Sequence, residues 1–273
     1  MAFEYAGEGA LDYFPCRYGK SKLLFRGPRR RLDVPYVAAI GGSETYGKFV
    51  AQPWPELLEM HLGMQTVNFG YLNAGVDVFL HEPQIAEATK TAELTVIQLM
   101  GAANMSNRFY AVHPRRNDRF LRASNLMRAV FNDVDFTEFN FTRHMLSALR
   151  AKAPDRYASL VQELQLAWVA RMHQLLEKTP GRKVLLWLND YHPDSASDPL
   201  GAEPLLITEE MVAEIRSKAD DLVRVTPSPA ACGSGTQGMH FAPLEEPAAA
   251  TMPGPKVHEE IAAALGPVIS RML

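Results

Sequence analysis

Ser43 is the residue whose setting best suits nucleophilic chemistry. It stands in Gly41-Gly42-Ser43-Glu44-Thr45-Tyr46-Gly47, where paired glycines permit a sharp turn and close packing. A serine just past such a turn lies beside a helix N-terminus, which favours developing negative charge. The same position also suits a plain helix cap. A second stretch, Val67-Asn68-Phe69-Gly70-Tyr71-Leu72-Asn73-Ala74-Gly75, carries two glycines. Either could bring a backbone N–H close to a substrate oxyanion with no side chain in the way, or serve only as a turn residue. A third, Gln98-Leu99-Met100-Gly101-Ala102-Ala103-Asn104, ends in an amide that can donate to the same oxyanion or cap the next segment.

These stretches need elements to bring them together. Five short apolar runs, 36–40, 66–69, 94–99, 184–188 and 222–225, lack strict alternation and suit strands buried on both faces. Helical patterns lie between them. Residues 54–62 follow Pro53 and stop at Gly63, and 83–92 open with proline. Residues 155–176 place Leu160, Leu164, Trp168 and Met172 at four-residue steps. Thr208 is a cap for a helix to about Ala219, and a last amphipathic helix follows Pro255. Strand–helix alternation predicts a three-layer α/β/α fold with a doubly wound, mostly parallel five-stranded sheet of flavodoxin-like type. The chain reads as one domain, 1–273, with an N-terminal extension over 1–34 and a helical cap-like insertion over about 105–150. Ligands of such sheets sit beyond the carboxyl ends of the strands, where the three stretches fall.

Composition narrows the class. A 47% hydrophobic fraction over 273 residues supports a core without staples. A net charge of -3 singles out neither nucleic acid nor membrane as a partner. Two cysteines, Cys16 and Cys232, exclude a disulfide scaffold and suit a reducing compartment. With no signal-like N-terminus and no apolar span of membrane length, the expected location is cytoplasmic.

The order serine, glycine, asparagine after successive strands resembles the SGNH/GDSL hydrolase superfamily. The match runs from Tyr36 to about Asn107 and again through the final helix, and Gly42-Ser43-Glu44-Thr45-Tyr46-Gly47 is similar to a bacterial branch of it. The resemblance implies an ester hydrolase or acyl-transfer enzyme with no metal or organic cofactor. Ser43 would be the nucleophile. The Ser43 N–H, Gly75 (Gly70 as the alternative) and Asn104 would form the oxyanion hole.

The resemblance departs at its last block, an acid followed after two intervening residues by a catalytic histidine. Here Ala249 and Met252 occupy those places, and neither transfers protons. Two histidines are candidate substitutes. His258 lies at the start of the final helix. His240 lies in Thr236-Gln237-Gly238-Met239-His240, where Gln237 replaces the acid. A helix-edge packing role for His258, or no histidine base at all, stays open. Without a base the fold could bind an anionic glycan, nucleotide or acyl ligand without turnover.

After Asn104, residues 107–122 carry five arginines with Phe109, Tyr110 and Phe120. Guanidinium forks bind carboxylate, sulfate or phosphate, so Tyr46, Arg108, Arg115 and Arg116 are the substrate-contact candidates and the aromatics a stacking wall. The alternative is a solvated surface pairing with Asp118, Asp133 and Asp135. Asp190 and His192, just past the fourth strand, are reserve acid–base candidates or loop caps. The expected partner is a small-molecule or glycan ester, with no nucleic-acid motif and no membrane segment.

Overall fold

The structure, a computed structural model, describes residues 9–191 and 198–273. Strand β1 (Tyr36–Ile40) is followed by the one-turn helix α1 (Ser43–Tyr46) and by α2 (Trp54–Leu62). Strand β2 (Gln65–Asn68) precedes α3 (Val76–Leu80) and α4 (Pro83–Thr91). Strand β3 (Leu94–Gln98) leads into an antiparallel hairpin, β4 (Tyr110–Val112) and β5 (Phe120–Ala123), and then α5 (Asn125–Val130), α6 (Thr142–Lys152) and α7 (Pro154–Lys178). The chain continues through β6 (Arg182–Leu188), α8 (Glu209–Arg216), β7 (Asp221–Val225), α9 (Pro229–Cys232), α10 (Glu246–Ala249) and α11 (Pro255–Met272).

The five main strands form one parallel sheet in the order β2-β1-β3-β6-β7. This is the doubly wound α/β arrangement expected from the apolar runs. Side chains alternate across each strand. Tyr36, Ala38 and Ile40 enter one core cluster, while Val37 and Ala39 enter the other. With both faces covered, every β1 residue is buried, which is why these runs show no alternation. Trp54 and Leu58 of α2 and Val257, Ile261, Leu265 and Ile269 of α11 cover one face. Helix α7 covers the other with Leu160, Leu164, Trp168 and Met172, all fully buried. Each contributes about 2 kcal/mol by removal from water.

Phe69 and Leu99 fall just outside β2 and β3, although their N–H groups still donate to Ala39 and Leu186 carbonyls at 2.8 and 2.9 Å. Helix α8 stops at Arg216, short of Ala219, because Lys218 and Ala219 close tighter turns onto Ile215 and Arg216 carbonyls. The segment over 105–150 is a hairpin with helices rather than helices alone. Its Tyr110, Phe120, Met127, Phe131, Met145 and Leu149 belong to the same core cluster as α7. In the N-terminal stretch, Tyr18 and Phe25 pack edgewise on Phe69. Buried Arg26 donates to the Gly47 and Ala51 carbonyls at 2.8 and 2.7 Å, pinning the chain after α1. No described helix is long and apolar enough to cross a membrane.

Strand order reverses direction between β1 and β3, so the loops leaving them diverge and open a crevice at their carboxyl ends. That crevice holds the candidate site.

Candidate active site

A cavity of about 740 Å³ opens over the ends of β1, β3 and β6. Ser43, Asn73, Asn104 and Asp118 line it. Gly42, not Ser43, is the N-cap of α1, and the Ser43 hydroxyl bonds no helix amide. It accepts the Asn73 backbone N–H at 2.9 Å and donates to Asn73 Oδ1 at 3.3 Å. The Ser43 N–H makes no hydrogen bond among the described residues. Gln98, buried at the end of β3, sets the turn: its Oε1 accepts the Gly42 N–H at 3.1 Å and the Thr45 hydroxyl at 2.5 Å.

Asn73 sits at φ 54, the left-handed region. Asparagine tolerates this better than most residues, and the conformation turns its N–H toward Ser43. Asn104 Oδ1 accepts the Thr142 hydroxyl at 2.7 Å. Its Nδ2 is left with only a 3.5 Å approach to the Asn73 carbonyl. Two N–H donors on cavity-lining residues, the Ser43 backbone and the Asn104 side chain, are therefore left with no hydrogen bond or only a long one among the described residues, while the Asn73 N–H is taken by Ser43 Oγ.

Gly75 has a different part. Its N–H donates to Oδ1 of fully buried Asn117 at 3.1 Å, and it does not line the cavity. A Cβ at Gly75 would stand 1.6 Å from the Asn104 carbonyl oxygen. Glycine is needed there so that the loops after β2 and β3 can touch. Gly70 is held likewise, against the Tyr46 backbone.

Among the described residues, four carboxylates, Glu44, Asp118, Asp198 and Glu203, and one guanidinium, Arg143, line the cavity. Arg143 bonds Asp198 and Glu203 at 2.8 and 3.0 Å. Burial nevertheless pushes the Glu203 carboxyl above its ordinary range. Glu44 accepts from Gln98 Nε2 at 2.9 Å and from the Tyr191 hydroxyl at 2.8 Å. Burial, with Glu44 beside it, pushes the Tyr191 phenol far up, so Tyr191 stays a donor. Among the described residues no cluster of three or more His, Cys, Asp or Glu is arranged to hold a metal ion.

The family model described as "Domain of unknown function (DUF6473)" matches residues 1–273. The chain belongs to this DUF6473 family. No curated protein matches it. Among solved structures it is similar to the lipase Lip_vut3 from a goat rumen metagenome, at 14% identity and a TM-score of 0.44, covering 85% of this chain and 96% of that one. It is also similar to the salicylyl-acyltransferase SsfX3 from a tetracycline biosynthetic pathway, at 14% identity and a TM-score of 0.33, covering 85% of this chain and 53% of that one.

In the DUF6473 chain no histidine is among the described residues that line the cavity, and Met252 does line it. His258 is fully buried between α11 and α2, where Nδ1 accepts the Trp54 N–H at 3.0 Å. Burial, with Arg26 nearby, pulls its pKa down to about 3, so the ring is neutral and works as a helix-start acceptor. His240 is exposed on a loop, its N–H bonded to the Phe49 carbonyl at 2.8 Å, and it does not line the cavity. The structure does not bring either one to Ser43.

The basic segment divides. Arg108 pairs with Glu163 of α7, away from the cavity. Arg115 and Arg116 are exposed at the β4–β5 turn, where His113 Nδ1 accepts their N–H groups at 3.2 and 3.1 Å. Arg116 and Tyr46 line a second hollow of about 380 Å³, separated from the first by Asn73 and Asp118, which line both. Phe109, Tyr110 and Phe120 are buried core residues, not a stacking wall. Asp190 is exposed and outside the cavity lining, and His192 lies outside the described residues.

Sequence reasoning missed Asn73, Asp118, Thr142 and Gln98. Only for Asn73 was there a local signal, an asparagine between two turn glycines, and it pointed to the glycines instead.

Proposed function

We propose that this DUF6473 chain is an SGNH-type acyl-transfer enzyme, hydrolysing or transferring the acyl group of an ester through Ser43. One observation carries the reading: Ser43 lines the cavity with its hydroxyl oxygen held at 2.9 Å by the Asn73 backbone N–H, beside Asn104 in the same lining. Ser43 Oγ attacks the ester carbonyl carbon and its proton passes to water. The oxyanion that forms takes hydrogen bonds from the Ser43 N–H and the Asn104 amide, while the Asn73 N–H holds Ser43 Oγ. Collapse of the adduct breaks the C–O bond and expels the alcohol, which takes up a proton, and water or an acceptor hydroxyl then cleaves the acyl-serine. Donors held in advance where charge develops commonly supply more of the rate enhancement than any other effect. Among the described residues no imidazole lines the cavity with Ser43, so the donors carry the reading; donors and binding alone sustain roughly 10³–10⁴-fold over water in triad enzymes stripped of a member. The carboxylate-rich walls suit a neutral or hydroxyl-rich ester better than an anionic one.

A fluorophosphonate probe is expected to add to Ser43 in the wild-type chain and not in Ser43→Ala, read by intact mass. Aryl acetate turnover should fall to background in the same variant. Wild-type protein that is neither labelled nor faster than Ser43→Ala sinks the reading.

Met252 on the cavity wall favours a second reading, ligand binding without turnover. It predicts ester-induced thermal shifts that persist in Ser43→Ala and no cleavage by either form.

A further inference from the structure

Asp118 is the unexplained acid of the cavity. It lies at the β4–β5 turn, 75 residues from Ser43 in sequence, yet both line the same space. Its Oδ2 accepts Asn73 Nδ2 at 3.3 Å, and its Oδ1 is buried with no hydrogen-bond partner among the described residues. Asn73 Oδ1 in turn accepts the Ser43 hydroxyl at 3.3 Å.

This chain of bonds has a direction. An ionised carboxylate only accepts, so Asp118 requires the NH₂ end of the Asn73 amide. The oxygen end must then face Ser43. The Ser43 hydroxyl must therefore donate to Asn73 and keep its hydrogen out of the cavity. One lone pair of Oγ takes the Asn73 backbone N–H. The other is left for an incoming carbonyl carbon. With the amide reversed, Nδ2 would compete for that lone pair and the hydroxyl hydrogen would point at the substrate.

We infer that Asp118 is a positioning residue: through the Asn73 side chain it orients the Ser43 hydroxyl so that a nucleophilic lone pair faces the cavity. The inference rests on the acyl-transfer reading of Ser43. It needs no proton to pass through the amide, and it assigns Asp118 a task with no counterpart in the resemblance.

The test is a double-mutant cycle read by the rate of fluorophosphonate labelling at Ser43. Asp118→Asn keeps size but lets the partner amide turn either way. Asn73→Gly removes the side chain, while glycine adopts φ 54 at no steric cost. Each single change should slow labelling about tenfold with melting temperature unchanged, since a hydrogen bond to a charged group is lost. In the Asn73→Gly background, Asp118→Asn should cost nothing further, because the two act as one unit. Asp118→Glu should recover part of the rate. Wild-type labelling by Asp118→Asn, or an undiminished Asp118→Asn effect without the Asn73 side chain, overturns the inference. If the wild-type chain takes no label, the acyl-transfer reading fails instead. The orientation is then read from the Asn73 side-chain amide resonance, which Asp118→Asn must move; an unmoved resonance overturns the inference.

Discussion

A hydroxyl becomes a nucleophile through what surrounds it, and around Ser43 those neighbours come from four separate places: its own turn, Asn73 after β2, Asn104 after β3 and Thr142 at the start of α6. Asn104 was legible as a donor because an amide after a parallel strand falls at the mouth of the sheet. Asn73 was not, since nothing in its residue type announces φ 54. Asn104→Ala should reduce Ser43 labelling by roughly 10²-fold, the usual cost of removing one oxyanion donor. Thr142→Val should have a smaller effect, about fivefold, because it frees the amide without deleting it. Both are measured as labelling rate against melting temperature, and an unchanged Asn104→Ala rate excludes that amide from the site.

The elements set how closely these residues can approach. The loops after β2 and β3 touch at Gly75, where a Cβ would stand 1.6 Å from the Asn104 carbonyl oxygen, a backbone atom that cannot swing aside. Gly75→Ala should therefore separate the loops and destabilise the fold by about 2–3 kcal/mol, the scale of overpacking in a close-packed site. It should also slow labelling through displaced Asn104. A denaturant midpoint equal to wild type would show that the loops can part freely. Sequence placed Gly75 correctly after the second strand but assigned it a donor's work. Contact between two loops cannot be read from either one alone, and Asn117, which takes the Gly75 N–H, comes from the hairpin turn.

At the scale of the whole molecule, the fold ties its last helix, α11, to the start of α2 through His258. The buried ring has its pKa pulled down to about 3, while an unfolded histidine titrates near its ordinary 6.5. Between those values the unfolded chain binds more protons, so stability rises with pH. The contribution is complete above about 6.5 and is lost as pH falls toward 3. His258→Asn retains an acceptor for the Trp54 N–H and removes the titration. Wild-type stability relative to that variant should therefore shrink below pH 6.5 by up to about 1.4 kcal/mol per pH unit. Chemical denaturation at a series of pH values measures it. A constant difference between the two forms from pH 7 to pH 4 would contradict the burial argument.

The sequence by itself determined the parallel sheet, its flanking helices and the stretch carrying Ser43, because burial on two faces and a proline or glycine at a helix end leave local marks in composition and spacing. Tertiary structure alone decided which groups meet. Two histidines that looked available by order along the chain lie in a helix interface and on an exposed loop outside the cavity lining. Asp118 and Thr142 reach the cavity from a hairpin and a helix with no motif of their own. Hydrogen bonds act over about 3 Å and depend on direction. Partners far apart in sequence are therefore chosen by packing, which residue order does not encode locally.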